Sequence, residues 1–159
     1  VKAPAHVFTN QEDALIAYKN GSLNHDCIVV LCYQGPRANG MPELHGLTPA
    51  LSSLQDKGYK VGLVTDGRMS GASGKVPSAI HLTPEGLSKG NIAKIRDGDI
   101  IELDLDNEVL QVLVSEEDLA NRVSLVADLS HNEHGLGREL FAGFRGLVSS
   151  SEEGASPIL

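Results

Sequence analysis

A short apolar run that breaks into a glycine-rich loop lies near the middle of the chain, in residues 61–83. Residues 61–64 (VGLV) have the length and the β-branched content of a buried strand. Residues 66–75 then hold three glycines, two serines, Arg68 and Lys75, and residues 77–83 predict a second strand. Such a loop lets backbone N–H groups approach a ligand closely, and its two cations can pair with an anion. The alternative is a tight connection whose glycines only supply positive φ angles.

Two common phosphate-binding loops are excluded at this place. A Walker loop needs glycine where Met69 stands and serine or threonine where Val76 stands. The Rossmann fingerprint fails at residues 135–140, because Leu140 occupies the position of its third glycine. An anion held by residues 66–75 would therefore need a different arrangement of donors.

The composition indicates one α/β domain with a real core. A chain of 159 residues with 41% hydrophobic residues is long enough for one domain and too short for two full ones. Lys and Arg number 13 against 21 Asp and Glu, so the formal charge of −8 argues against a nucleic-acid surface. No apolar run approaches the length of a membrane span. We therefore expect neither a nucleic-acid nor a membrane partner.

The two cysteines, Cys27 and Cys32, are five residues apart in one apparent strand. An odd spacing points their side chains to opposite faces, so we expect no disulfide between them. Two buried thiols are typical of a protein in a reducing cytoplasm. Two cysteines are also too few for a cluster site made only of cysteines.

Hydrophobic periodicity predicts a mixed α/β order of elements. In the final predicted helix, four large apolar residues have helical spacing and predict a stripe that faces the core: Leu140, Phe141, Phe144 and Leu147. We expect residues 1–148 to form a single domain and residues 149–159 a tail that can be mobile. The predicted elements are a helix capped by Thr9 and ending near Gly21, a strand at 27–32, a long loop at 33–46, a helix from Thr48 to Gly58, a hairpin of 100–104 and 109–114, a short helix capped by Ser115, and a helix at 137–148.

Residues 65–75 (TDGRMSGASGK), followed by 80–85 (IHLTPE), resemble the C-terminal signature of the family of dihydroxy-acid dehydratases and 6-phosphogluconate dehydratases. Further matches stand at residues 34–45 (QGPRANGMPELH), 96–100 (RDGDI) and 137–141 (GRELF). They follow in order over most of the chain. Because the enzymes of this family are several times longer, the resemblance covers only their C-terminal domain.

The resemblance implies the β/β/α swivelling fold, the small domain of aconitase-like enzymes, with a mixed and barrel-like sheet. In this family the domain closes over an iron–sulfur cluster that the other domain carries, and no cluster ligand is expected in this chain. The implied activity is that of a hydro-lyase, which converts 6-phosphogluconate to 2-keto-3-deoxy-6-phosphogluconate and water. The resemblance also implies a magnesium ion that holds the carboxylate end of the substrate.

The resemblance assigns roles to residues of the two loops. Ser70 corresponds to the serine that, as an alkoxide, removes the C2 proton. Glu43 is expected to bind magnesium or the substrate carboxylate, since hard cations prefer oxygen ligands. The expected substrate-binding residues are Arg68, Gly71, Ser73 and Lys75. The ammonium group of Lys75 is expected to meet the substrate phosphate, because charge-assisted hydrogen bonds are strong.

The expected partners are a phosphorylated sugar acid and the N-terminal domain of the same enzyme, which is expected to be a homodimer when complete. The isolated chain is then expected to be inactive. Two alternatives stay open at this point. The chain can be a non-catalytic swivelling subunit or binding module that closes over a partner's active site, or it can belong to a dehydratase for another sugar acid.

Overall fold

The computed structural model describes residues 1–70 and 74–158. One mixed sheet organises the domain, in the order β4-β3-β2-β1-β5-β6, with strands β1 Lys2–Phe8, β2 Cys27–Leu31, β3 Val61–Thr65, β4 Ser78–Ala79, β5 Ile100–Asp104 and β6 Val109–Val112. Strands β1 to β4 pair in parallel, whereas β5 is antiparallel to both β1 and β6. The sheet curls into a nearly closed, barrel-like form, which confirms the predicted α/β class with a mixed sheet.

Helices connect and cover these strands. They are α1 Gln11–Lys19, α2 Pro36–Asn39, α3 Leu47–Asp56, α4 Glu116–Asn121 and α5 Ala142–Leu147, with short 3₁₀ turns at Gly86–Ser88, Asn91–Lys94, Ser130–Asn132 and Ser151–Glu153. No helix in the described part of the chain combines the length and the apolar character that crossing a bilayer requires.

Strand β2 lies at the centre of the core and is buried along its whole length. Its side chains alternate between two clusters. Cys27 packs on the side of α1 and α3, while Ile28 packs on the side of β5. Burial on both faces explains why the run CIVVL is apolar without interruption. Cys32, just beyond the strand, belongs to the cluster opposite that of Cys27, and both thiols are free, as expected.

Two predicted helix caps were wrong. Asn10, and not Thr9, caps α1: its Oδ1 accepts a hydrogen bond of 2.8 Å from the backbone N–H of Asp13. Helix α3 begins at Leu47 after Gly46, so Thr48 lies inside it. There the Thr48 hydroxyl donates to Met69 Sδ at 3.3 Å, and it is therefore engaged away from the helix end.

Three further expectations about the predicted elements were wrong. The predicted loop at 33–46 contains the short helix α2, and the predicted strand at 77–83 is paired only over Ser78–Ala79. The predicted core-facing stripe at the end of the chain is exposed instead: Leu140 and Leu147 are 76% and 71% accessible. Helix α5 itself is limited to six residues.

The carboxyl-terminal residues fold back on the domain. The Arg37 Nε donates to the Val148 carbonyl at 3.1 Å, and the backbone N–H of Ser149 donates to the Ser156 carbonyl at 3.0 Å. Ser150 and Glu153 form a capping box around a short 3₁₀ turn. The mobility of residues 149–159 stays a prediction.

Candidate functional site

A buried carboxylate marks the point where β3 ends and the glycine-rich loop begins. Asp66 is 0% exposed and accepts three backbone hydrogen bonds: from Gln34 N to Oδ1 at 2.9 Å, and from Tyr33 N and Gly86 N to Oδ2 at 3.1 and 2.8 Å. Burial raises the pKa of the Asp66 carboxyl, and the three N–H groups act in the opposite direction. Asp66 therefore ties the loops that follow β2 and β3 to the turn at residue 86.

A second buried carboxylate, Glu85, fixes the start of α2. Its two oxygens accept the backbone N–H groups of Arg37 and Ala38 at 3.0 and 3.1 Å, which are donors that the first turn of a helix leaves unpaired. The pKa of Glu85 is raised, chiefly by burial. The residue before the helix must be glycine, because a Cβ on Gly35 would lie 2.4 Å from the Glu85 carboxylate.

Glu43, Arg68 and Ser70, which were all predicted to be functional, are joined through the Glu43 carboxylate. Its Oε2 accepts from Arg68 Nη1 at 3.0 Å, and its Oε1 accepts from the backbone N–H of Ser70 at 2.7 Å. Ser70 is an exposed residue at the surface of the loop. Glu43 therefore bridges the guanidinium group and the backbone of the serine, and it fixes both relative to its own loop.

Backbone contacts hold the two loops side by side. Glu43 and Arg68 form an isolated parallel β-bridge, and the backbone N–H of Leu44 donates to the Arg68 carbonyl at 3.2 Å. The Arg68 Nε also donates to the Met41 carbonyl at 2.8 Å. The guanidinium group is thus held by a carboxylate and a carbonyl of the same neighbouring loop, while 51% of its side chain stays exposed.

Lys75 lies with Ser70 at a cavity of about 250 Å³. Its Nζ pairs with the Asp56 carboxylate at 2.7 Å, and the two side chains are 46% and 67% exposed. The other residues at the wall of the cavity are Thr48, Met69, Gly74, Val76, Ser78, Ile80 and Leu105. Gly71 and Ser73, which were also predicted to bind substrate, lie outside the described residues.

The described residues do not fit an iron–sulfur cluster. Among residues 1–70 and 74–158, no three His, Cys, Asp or Glu side chains lie together as metal ligands would. Cys27 and Cys32 face different core clusters, and burial raises the pKa values of their thiols to about 11 and about 12, so both are held protonated. Glu43 is suited to supply one oxygen ligand to a magnesium ion. Each of its carboxylate oxygens accepts one described hydrogen bond and keeps a further lone pair.

Sequence analysis assigned no role to Asp66 or Glu85, although their carboxylates position the loops of the site. A detectable signal existed for Asp66, which directly follows a strand that is apolar on both faces and precedes a glycine. Polar side chains at the carboxyl ends of parallel strands lie at one sheet edge, where open α/β sheets form their sites. Glu85 offers no comparable signal, because the helix start that it caps is 48 residues away in the chain.

Comparison with known proteins assigns the sequence to a family. Residues 1–155 match the family model described as dihydroxy-acid/6-phosphogluconate dehydratase C-terminal. The chain is 52% identical over 156 residues to a phosphogluconate dehydratase of Rhizobium meliloti, and 55% identical over 160 residues to one of Helicobacter pylori, covering 98% and 97% of this chain.

A dihydroxy-acid dehydratase of Methanobrevibacter smithii is 40% identical over 125 residues, which cover 78% of this chain. The chain spans about a quarter of the length of these relatives, 26% of the two phosphogluconate dehydratases and 22% of the dihydroxy-acid dehydratase. The family model describes the C-terminal domain of these enzymes, and it matches nearly the whole chain. This chain therefore belongs to the dihydroxy-acid/6-phosphogluconate dehydratase family, as its C-terminal domain.

Proposed function

We propose that this domain closes the active site of an enzyme that dehydrates 6-phosphogluconate to 2-keto-3-deoxy-6-phosphogluconate. The observation that carries the proposal is the pattern of identity. Relatives named phosphogluconate dehydratase are 52–55% identical over nearly the whole chain, whereas the Methanobrevibacter smithii dihydroxy-acid dehydratase is 40% identical over a shorter stretch. The remaining three quarters of such an enzyme would form the other side of the site.

In this proposal Ser70 is the base that removes the C2 proton. The bond from C2 to hydrogen breaks, its electron pair forms the C2–C3 double bond, and the C3 hydroxyl leaves as water after taking up a proton. The enol product then becomes the 2-keto acid. A serine hydroxyl is too weak an acid to be ionised unaided, so positive charge close by must stabilise its alkoxide.

The contacts of Glu43 support this assignment of Ser70. The loop backbone at the serine is fixed by the 2.7 Å hydrogen bond from its N–H to Glu43, and this contact does not use the serine hydroxyl. Arg68 is held by the same carboxylate, so the guanidinium group and the backbone of the proposed base are fixed to one anchor. A near-attack geometry needs this kind of prior fixation, because misplacement by about 1 Å can cost a factor of 10² in rate.

The proposal includes metal groups that the complete enzyme would carry. The proposal assigns the ligands of an iron–sulfur cluster to the remaining part of the enzyme, and the described residues of this chain do not fit such a cluster. Glu43 is proposed as one ligand of a magnesium ion or as a contact to the substrate carboxylate. A bound magnesium ion would add positive charge at the carboxylate end of the substrate. A cytoplasmic location and a homodimeric complete enzyme also remain proposals, and the free thiols agree with a reducing compartment.

The reaction itself is the first test. The assembled enzyme, with its remaining part fused to this chain or added as a separate polypeptide, is expected to release 2-keto-3-deoxy-6-phosphogluconate from 6-phosphogluconate. The 159-residue chain alone is expected to release none, because its described residues supply neither the cluster ligands nor the second wall of a site. Product is measured as the 2-keto acid. Turnover by the chain alone, or an assembled enzyme that accepts only other sugar acids, would refute the proposed function.

A second prediction concerns the choice of a phosphorylated substrate. Lys75→Ala is expected to raise KM for 6-phosphogluconate about ten- to a hundredfold, since a charge-assisted contact is worth roughly 1.5–3 kcal/mol. KM for gluconate is expected to change little. The fold should tolerate the change, because the ion pair of Lys75 with Asp56 lies at the surface and such pairs contribute little to stability.

The matched control for Lys75 is Lys60→Ala, which removes an exposed lysine at the amino end of β3. It is expected to leave both KM values unchanged. An equal loss for both substrates in Lys75→Ala would contradict the phosphate role and would make this lysine a general structural or catalytic residue.

A further inference from the structure

The last helix and the turn just before it present an apolar surface to solvent. This surface, called the α5 surface below, consists of Leu140, Phe141, Phe144 and Leu147, which are 76%, 53%, 49% and 71% exposed. The rings of Phe141 and Phe144 lie 6.1 Å apart between centroids and form one continuous patch. Single exposed apolar residues are ordinary, but four large ones within eight positions mark an interaction surface.

The segment is attached to the domain by its polar side. Arg145 Nη1 donates to the Arg138 carbonyl at 2.8 Å, and Arg138 Nη1 donates to Asn39 Oδ1 and to the Asn132 carbonyl, each at 3.2 Å. Both arginines are only partly exposed. A surface helix normally turns its apolar stripe to the core and its charged residues to water. Here the arrangement is reversed, so the apolar stripe is directed at something other than the core of this domain.

Two glycines of α5 leave open space beside the helix. A Cβ added at Gly143 or Gly146 would meet no described atom within 4 Å. Helices that approach closely use small residues at the contact, because a missing side chain lets backbone come near. The α5 surface therefore combines large apolar anchors with room for close packing.

We propose that the α5 surface is the docking surface for the rest of the dehydratase polypeptide, the part that the relatives carry beyond the quarter matched here. The proposal rests on the proposed function in one respect, since it takes that remaining part as the partner. Two observations identify the occupant. About three quarters of the length of the relatives lies outside this chain, and the four large apolar side chains have no core partner here. The facing surface of the partner is apolar.

Chemical labelling of an introduced thiol tests the proposal without any measurement of activity. In Phe144→Cys, maleimide is expected to react readily in the 159-residue chain, and at least about tenfold more slowly once the rest of the enzyme is assembled, because a docked residue reacts only from opened states. Background labelling is small, since Cys27 and Cys32 are 0% exposed. Leu140→Cys provides an independent site on the same surface, in case one variant fails to fold. Ile16→Cys, on α1 and 57% exposed, is the control that should keep its labelling rate.

Each outcome decides for or against the α5 surface. Protection of both α5 cysteines on assembly, with Ile16→Cys unaffected, supports the docking surface even if the assembled enzyme acts on another substrate. Equal labelling before and after assembly would overturn the proposal. Protection that grows with the concentration of the 159-residue chain alone would identify a second copy as the occupant and would overturn it as well.

Discussion

Replacing Ser70 by alanine in the assembled enzyme is expected to lower kcat by about 10²- to 10⁴-fold, the usual contribution of a positioned base. Alanine is a clean substitution at this position. The contact that fixes the loop to Glu43 is made by the backbone N–H of Ser70, and alanine retains it. Because residue 70 is exposed, no core packing is lost. KM and the iron content should stay close to those of the unchanged enzyme, since only an interaction needed in the transition state is removed.

Ser22→Ala is the control for this substitution. Ser22 is also an exposed serine, and its hydroxyl makes only a local hydrogen bond of 2.6 Å to Asn20 Oδ1, just beyond α1. It should leave kcat unchanged. If Ser70→Ala kept near-normal turnover, the base would have to be another group. If it lost iron together with activity, the serine would support assembly rather than proton transfer.

The sheet was predictable because the burial of a strand produces a clear hydrophobic pattern in its own sequence. The uninterrupted run of β2 and the alternation of β5 each reflect the faces that these strands bury, and both strands were found where periodicity placed them. Helix α4 was also found with its predicted cap, since Ser115 accepts from the backbone N–H of Asp118 at 3.0 Å. These elements depend on residues within a few positions of each other.

The misplaced elements depend on distant residues. Helix α2 starts where two of its backbone N–H groups donate to the Glu85 carboxylate. No pattern in residues 33–46 indicates that contact. The stripe from Leu140 to Leu147 has a pattern typical of burial, but periodicity does not say which surface will cover it. The pairing of Glu43 with Arg68 joins two loops 25 residues apart, so local propensity could not have shown it.

The largest effect on stability is expected at Asp66. Asp66→Ala would leave three buried backbone N–H groups, those of Tyr33, Gln34 and Gly86, without their acceptor. Each unsatisfied donor costs roughly 1–3 kcal/mol, so the total loss should be about 3 kcal/mol or more. For a domain of this size, thermal unfolding should then occur about 6–12 °C lower. Circular dichroism of the 159-residue chain measures the change directly.

Asp26→Ala is the matched control for Asp66. The Asp26 carboxylate also accepts a backbone hydrogen bond, from Lys60 at 2.8 Å, but the residue is exposed, so water can replace the lost acceptor. Its midpoint should shift by no more than about 2 °C, as for ordinary surface changes. Equal shifts for the two variants would show that burial of the Asp66 carboxylate contributes nothing special to the fold.

Asp66→Asn separates hydrogen bonding from charge. One amide oxygen can replace Oδ2 and accept from Tyr33 and Gly86, but the amide nitrogen then faces the N–H of Gln34 and can accept nothing, so a loss of about 1–3 kcal/mol remains. Burial raises the pKa of Asp66, so the folded state binds its proton more tightly than the unfolded chain does. By linkage, the contribution of Asp66 to stability falls as the pH rises from the ordinary pKa of the carboxyl through the raised one. The Asn variant has no such proton, so its deficit relative to the unchanged chain should be largest at the acidic end of that window. Denaturant unfolding over this pH range measures it, and a deficit that instead grew with pH would show that the hydrogen bonds outweigh burial in setting the pKa of Asp66.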